Sequence, residues 1–307
     1  MIYTITLNPS LDYLMMVDEF NLGETNRSTQ EILYPGGKGF NCSQVLNTLH
    51  VSNQALGFAA GFSGKKIEEL LLEKQVNVRM VWVKEGFSRI NVKLKGHVES
   101  EINGRGPQVD AQAITEFKAL LDQWHENDLV MICGSLANGT ETLYEDLLTL
   151  CDERKIRFVV DVSSEALMAA LAYRPWLIKP NLAELEKVSN RSLTTREEQL
   201  TAMTQLQNLG ARNVLLSMGK EGALLLSEDG KILMSSAPKG MCINSVGSGD
   251  SMVSGFVSGY LQSQSYEEAL RLGTACGSAT AFSEDLATLD EITACIQCVE
   301  IRLVDKA

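Results

Sequence analysis

The stretch VGSGDSMVSGFVSGYL, Val246 to Leu261, places an acid at the start of an apolar helix, behind two glycines that flank a serine. Free amides and the helix dipole make a helix N-terminus a binding place for anions. Gly247 and Gly249 let main-chain N–H groups approach a ligand closely. Asp250 beside them has two readings. Asp is a good helix N-cap; otherwise it is there to take a proton while an anion is handled next to it. A second stretch, PGGKGFN (Pro35 to Asn41), has glycines and a lysine opening a helix. It fits either a plain turn or a loop that holds a phosphate or a sugar hydroxyl. Three further turns carry polar or glycine residues: GSL (Gly134 to Leu136), WLIKPN with Lys179 and Asn181 and with Glu184 three residues on, and SMGKEG (Ser217 to Gly222). Neither GxxxxGK[ST] nor a GxGxxG in a strand–helix setting occurs, so these are not the common mononucleotide or dinucleotide loops.

The elements that must hold these residues follow from periodicity. Met252, Val253, Phe256, Val257, Tyr260 and Leu261 recur at helical spacing, and the small residues among them predict very close packing. Strands are expected at 129–135, 157–163, 176–181 and 213–219, with helices at 141–155, 165–171 and 193–210. Short strands follow at ALLLSE and KILMSSA, and three helical segments close the chain from about residue 249. Alternation of this kind implies a mostly parallel, doubly wound α/β sheet with helices on both faces. Such sheets bind ligands at the C-terminal ends of their strands, where the polar turns fall. In the first half, MIYTITL reads as a strand, NCSQVLNTLH as a helix and NQALGFAAGFSG as a strand with a glycine-rich end. Residues 13–34 and 87–106 are polar and β-branched, with a hairpin about Gly96, and are read as a small β lid within a single domain spanning 1–307.

Composition narrows the function. Lys and Arg number 27 against 39 acids, a net charge of −12, which argues against nucleic acid but permits a small anionic ligand held by local cations. No apolar run has the length of a membrane span, and the N-terminus lacks the features of a signal peptide. Seven scattered cysteines, an odd number, fit a reducing cytoplasm better than a disulfide framework. CIQC (Cys295 and Cys298) lacks a second ligand pair, and His50, His97 and His125 share no motif, so metal-thiolate and histidine chemistry are not expected.

TLNPSLD, PGGKGFN, SRINVKL, ICGSL, VVDVSSEAL, KPNLAEL, LLSMGKEGA and VGSGDSM occur in this order along the chain. Together they resemble the ribokinase-like PfkB sugar kinases over essentially the whole length. Within the family, TLNPSLD, GGKGFN and RINVKL followed by EINGRGP look most like the 1-phosphofructokinases, with tagatose-6-phosphate kinases close by. The resemblance implies a kinase using ATP and Mg²⁺, with a monovalent cation allowed, that phosphorylates D-fructose 1-phosphate at its 6-hydroxyl; tagatose 6-phosphate is the alternative substrate. It makes Asp250 the catalytic base and the amides of Gly247, Ser248 and Gly249 the anion hole. Asp12, Gly37, Lys38, Asn41, Arg89 and Ser135 would hold the sugar phosphate. Lys179, Asn181, Ser217, Gly219 and Gly222 would meet the nucleotide, and Glu184 would organise Mg²⁺ through water. Arg27 and Arg105, in the lid segments, are read as solvated surface residues. Phe282, Ser283, Glu284 and Asp285 depart from the family pattern near the adenine. Lid strands that pair between subunits imply a homodimer, with no nucleic acid or membrane partner.

Overall fold

The computed structural model describes residues 1–97 and 99–304. In the N-terminal half, strands β1 (Ile2–Thr6), β2 (Ser10–Met16) and β3 (Gln30–Gly36) lead to helix α1 (Lys38–Thr48). Next come β4 (Asn53–Ala59), α2 (Gly61–Glu73), β5 (Val78–Trp82), β6 (Arg89–Lys95), β7 (Ser100–Asn103) and α3 (Ala111–Leu120). The middle of the chain alternates: β8 (Leu129–Gly134), α4 (Glu141–Glu153), β9 (Arg157–Val162), α5 (Ser164–Leu171), β10 (Leu177–Ile178), α6 (Leu182–Ser189), α7 (Arg196–Asn208) and β11 (Asn213–Ser217). It ends with β12 (Ala223–Leu226), β13 (Ile232–Ser235), α8 (Ser248–Ser263), α9 (Tyr266–Ala281), α10 (Leu289–Ile296) and β14 (Ile301–Leu303).

Ten strands form one sheet in the order β14-β13-β12-β11-β10-β9-β8-β1-β4-β5. From β11 through β5 every neighbouring pair is parallel, and β12, β13 and β14 add an antiparallel edge. Chain order runs outward from β1 to β4 and β5 on one side, and from β8 to β11 on the other. The winding therefore reverses between β1 and β8, and a crevice opens there at the C-terminal ends. Alternate residues of each strand face opposite layers. Val130 and Ile132 of β8 join a core with α3, α4, α5 and α7, while Leu129, Met131 and Cys133 join one with α1, α8 and α9.

A second sheet, β3-β2-β6-β7, stands apart from the first. Its first strand begins at Ser10, so Asp12 lies within it, paired with Tyr34 and Asn91. Several expected boundaries shift. Gly61 and Gly64 open α2 instead of closing β4, and only Leu177 and Ile178 of WLIKPN pair as strand, because Pro180 and Asn181 turn the chain into α6. The small-residue face of α8 packs on α9: a Cβ at Gly255 would lie 2.7 Å from Sγ of Cys276. No described helix is long and apolar enough to cross a membrane, and all seven cysteines are free thiols.

Candidate active site

A groove of about 570 Å³ opens at the switch point, between the C-terminal ends of the parallel strands and the second sheet. Asp250 lies in it, 5% exposed. Asp250 is not a cap. Gly247 caps α8 at φ 79°, in the left-handed region, with no side-chain cap bond, and Asp250 is the third residue inside the helix. Oδ2 of Asp250 accepts a 2.8 Å hydrogen bond from Nδ2 of Asn41 on α1. Burial pushes the Asp250 carboxyl up to about 6. Lys38 and the Asn41 bond oppose that rise, and the buried charge of Asp161 adds to it. A carboxyl poised there takes a proton readily and still ionises near neutrality.

The amides of the first helical turn have no acceptors within the helix. That of Ser248 makes a long bond of 3.3 Å to the carbonyl of Ser245. A Cβ on Gly249 would lie 3.2 Å from Nζ of Lys179, so the Gly249 backbone runs directly beside that ammonium. Asp161, at the end of β9 and 2% exposed, joins two lysines: Nζ of Lys38 is 2.9 Å from Oδ1 and Nζ of Lys179 is 3.8 Å from Oδ2. Burial acts to raise the Asp161 carboxyl, but Lys179 and Lys38 override it and hold the pKa below the ordinary range. Burial likewise acts to lower Lys38, and the charges of Asp161 and Asp250 more than reverse it. The Lys38 ammonium is thus kept charged beside the helix start.

The second sheet supplies the opposite wall. Asp12 accepts from Ser10 Oγ at 2.6 Å and Asn91 Nδ2 at 2.9 Å, and pairs with Lys93 Nζ at 2.9 Å. Arg89, the first residue of β6, donates through Nε to the carbonyl of Asn8 at 3.0 Å. The Asn8 side chain in turn donates to the carbonyls of Arg105 and Leu136. Burial lowers the Arg89 pKa, against the pull of Asp12 and Glu101. Buried polar atoms around the groove lack hydrogen-bond partners within the protein: Thr6 Oγ1, Asn8 Oδ1 and Asn91 Oδ1, with Asp161 Oδ2 meeting only the Lys179 charge at 3.8 Å. Unsatisfied groups of this kind are costly unless a ligand or water meets them.

Gly37, Lys38, Asn41, Ser135, Lys179, Asn181, Glu184, Ser217, Gly247 and Gly249 also line the groove. Asn181 and Glu184 form a reciprocal capping box at the start of α6, each side chain accepting from the other's N–H at 2.8 Å. Gly219, Gly222 and Ser248 instead line an adjoining, more apolar cavity of about 520 Å³, which shares Ser217 and Gly249 with the groove. Phe282 lies in that cavity, its ring against Gly240. Glu284 and Asp285 lie elsewhere, in a small recess with Tyr34. Arg27 and Arg105 are exposed and line neither cavity. Asn8, Asn91, Lys93 and Asp161 were not singled out from sequence. Asp161 had a visible signal, a lone acid within the apolar strand FVVDV.

Two adjoining cavities thus meet at a helix start, with a buried acid and two lysines beside it. The pfkB family carbohydrate kinase profile matches residues 5–292, and the chain belongs to that family. It is 43% identical to 1-phosphofructokinase of Bacillus subtilis over 94% of this chain and 95% of that protein. It is 36% identical to D-tagatose-1-phosphate kinase of Bacillus licheniformis over 98% of this chain and all of that one. The structure superposes on phosphofructokinase-2 from Escherichia coli in complex with substrates and products with a TM-score of 0.90, at 30% identity, covering 96% of this chain and 98% of that chain.

Proposed function

We propose that the protein transfers the γ-phosphoryl group of ATP to the 6-hydroxyl of D-fructose 1-phosphate, giving fructose 1,6-bisphosphate and ADP. One observation carries the reading: Asp250 is buried where the groove and the second cavity meet, beside Gly249, which lines both. The polar groove suits a sugar phosphate, and the apolar cavity suits a nucleoside whose phosphates reach Gly249.

The reaction follows from those positions. The sugar hydroxyl gives its proton to Oδ2 or Oδ1 of Asp250 as its oxygen attacks the γ-phosphorus. The bond from that phosphorus to the bridging oxygen of ADP breaks. Catalysis of this kind rests on alignment and charge neutralisation. The amides of Gly247 and Gly249 and the ammonium of Lys179 meet the charge on the transferring group. Asp12 holds sugar hydroxyls, and Arg89 and Lys38 take the substrate's own phosphate. Among the described residues no group of three or more His, Cys, Asp or Glu could hold a metal alone. Magnesium bound through nucleotide phosphates needs only one or two protein carboxylates. Glu184 fits that requirement: one of its oxygens accepts from Asn181 N–H, and the other is available to a metal-bound water. Bound there, magnesium would neutralise phosphate charge.

D-tagatose 1-phosphate is the second reading, favoured by the 36% identical relative. It differs from fructose 1-phosphate only in the configuration at C4 and offers the same phosphate and the same reacting hydroxyl. Tagatose 6-phosphate, the alternative read from the sequence motifs, would have to bind reversed. We also place the protein in the cytoplasm, with the second sheet serving as a lid and β7, exposed along its length, as the edge that pairs in a homodimer.

The test is ADP release from Mg-ATP with fructose 1-phosphate, tagatose 1-phosphate, tagatose 6-phosphate, fructose 6-phosphate and free fructose in parallel. The reading predicts the highest kcat/KM with fructose 1-phosphate. Preference for a tagatose phosphate would keep the mechanism and change the substrate. Turnover with free fructose alone would overturn the role given to Arg89.

A further inference from the structure

The N-terminal ends of the parallel strands, the end opposite the active site, enclose another cavity of about 570 Å³. Four basic residues line it, Lys155, Arg157, Arg174 and Arg212. Glu126, Asp128 and Asp152 line it too, but two of these acids are engaged. Asp128 binds the N-terminal ammonium of Met1 at 2.8 Å and accepts from the N–H of His125 at 2.8 Å, and Asp152 pairs with Lys155 at 3.4 Å. Arg212 pairs with Glu228. Arg157 and Arg174 form no ion pair among the described residues. The Arg157 guanidinium lies over the rings of Trp176 (4.9 Å) and Tyr260 (5.4 Å). Stacking of this kind fixes the plane of the fork while leaving its N–H edge free for a planar or tetrahedral anion.

We propose that this cavity binds a small phosphate-bearing anion, with Arg157 and Arg174 as its ligands. A guanidinium outside any ion pair can meet a phosphate through two parallel N–H bonds. The volume exceeds what a bare phosphate needs and lies in the range of small-molecule sites, and Cys151, Phe158 and Trp176 give an apolar floor for an organic portion. The site is remote from the groove yet built on the same elements. Arg157 begins the strand that carries Asp161, Trp176 precedes the strand that leads to Lys179, and Leu261 and Gln264 lie at the far end of the helix that begins beside Asp250.

Inorganic phosphate and 3-phosphoglycerate are the probes, titrated into the full-length protein by calorimetry and followed by tryptophan emission, since Trp176 lies beneath Arg157. Saturable binding is expected, weakened about tenfold or more in Arg174→Glu and in Arg157→Gln, and unchanged in Arg89→Gln. Arg174 is exposed, so Arg174→Glu should fold normally and keep wild-type kinase turnover in phosphate-free buffer. Tighter binding of 3-phosphoglycerate would identify a phosphorylated metabolite as the ligand, and equal or weaker binding would identify free phosphate; either supports the site. Absence of saturable binding to the wild type would overturn it. So would binding lost in Arg89→Gln but kept in Arg174→Glu, which would put the anion in the groove.

Discussion

Asn41 and Asp250 are 209 residues apart in the chain and joined by one hydrogen bond of 2.8 Å, from the Asn41 side-chain amide to Oδ2 of Asp250. The bond favours the ionised carboxylate, which burial disfavours. It therefore helps to set the pH at which Asp250 ionises.

That balance predicts the pH dependence. Asp250 must be deprotonated to accept a proton, and its pKa lies at about 6. The kcat/KM of the wild type should fall as the pH drops through about 6. Asn41→Ala removes an interaction that lowers the pKa, so the acid limb should move to higher pH by about one unit or more. Activity at pH 7 should fall in the same variant. A pH–rate profile of kcat/KM checks this, and an unmoved acid limb would remove Asn41 from the account.

Asp161 should matter to stability. Asp161→Asn leaves the charge of the buried Lys179 without its partner and deprives Lys38 of its 2.9 Å contact. Breaking a buried pair on one side costs about 3 kcal/mol, measurable by urea unfolding at pH 7. The folded pKa of Asp161 is depressed, so its contribution is complete above the unfolded pKa of about 4 and lost as pH falls through the lower folded value. The wild type and variant should converge only in strong acid.

Some of this arrangement was legible in the sequence. Glycine and polar turns at the ends of successive strands placed the groove, because alternation fixes a parallel sheet and a parallel sheet fixes where its loops gather. The acid of GSGD could not be separated from a cap by sequence, since both need a carboxylate at a helix start; the left-handed Gly247 moves Asp250 past the cap position. Lys93 and Asn91 were hidden because alternate polar residues on a strand read as a solvated face, and only the second sheet's position over the groove turns that face inward. The α6 start carries a local signal, Asn181 with Glu184 three residues on, that fits ligand chemistry and is also a capping box.

Gly247 should not tolerate a side chain. Its φ is 79°, and a Cβ would lie 2.6 Å from Cδ2 of Leu286. Alanine in that conformation costs about 1–2 kcal/mol, and the turn that aims the first amides of α8 would shift. Gly247→Ala is expected to lose more than about tenfold in kcat while keeping its circular dichroism. Adding Leu286→Ala relieves the collision but not the backbone strain, so it should restore activity only in part.

Arg89 should act on one substrate. A charge-assisted hydrogen bond to the sugar's phosphate is worth about 1.5–3 kcal/mol, so Arg89→Gln should raise the KM for fructose 1-phosphate about 10- to 100-fold. The KM for ATP should not change. A change in the KM for ATP alone would reassign Arg89 to the nucleotide side.

The most direct test of the central claim is single-turnover phosphoryl transfer by Asp250→Asn, with fructose 1-phosphate affinity measured in parallel. The amide keeps the shape of Asp250 and cannot take the proton. The account predicts transfer slowed by roughly 10²- to 10⁴-fold with sugar-phosphate binding preserved. Transfer at close to the wild-type rate would contradict it.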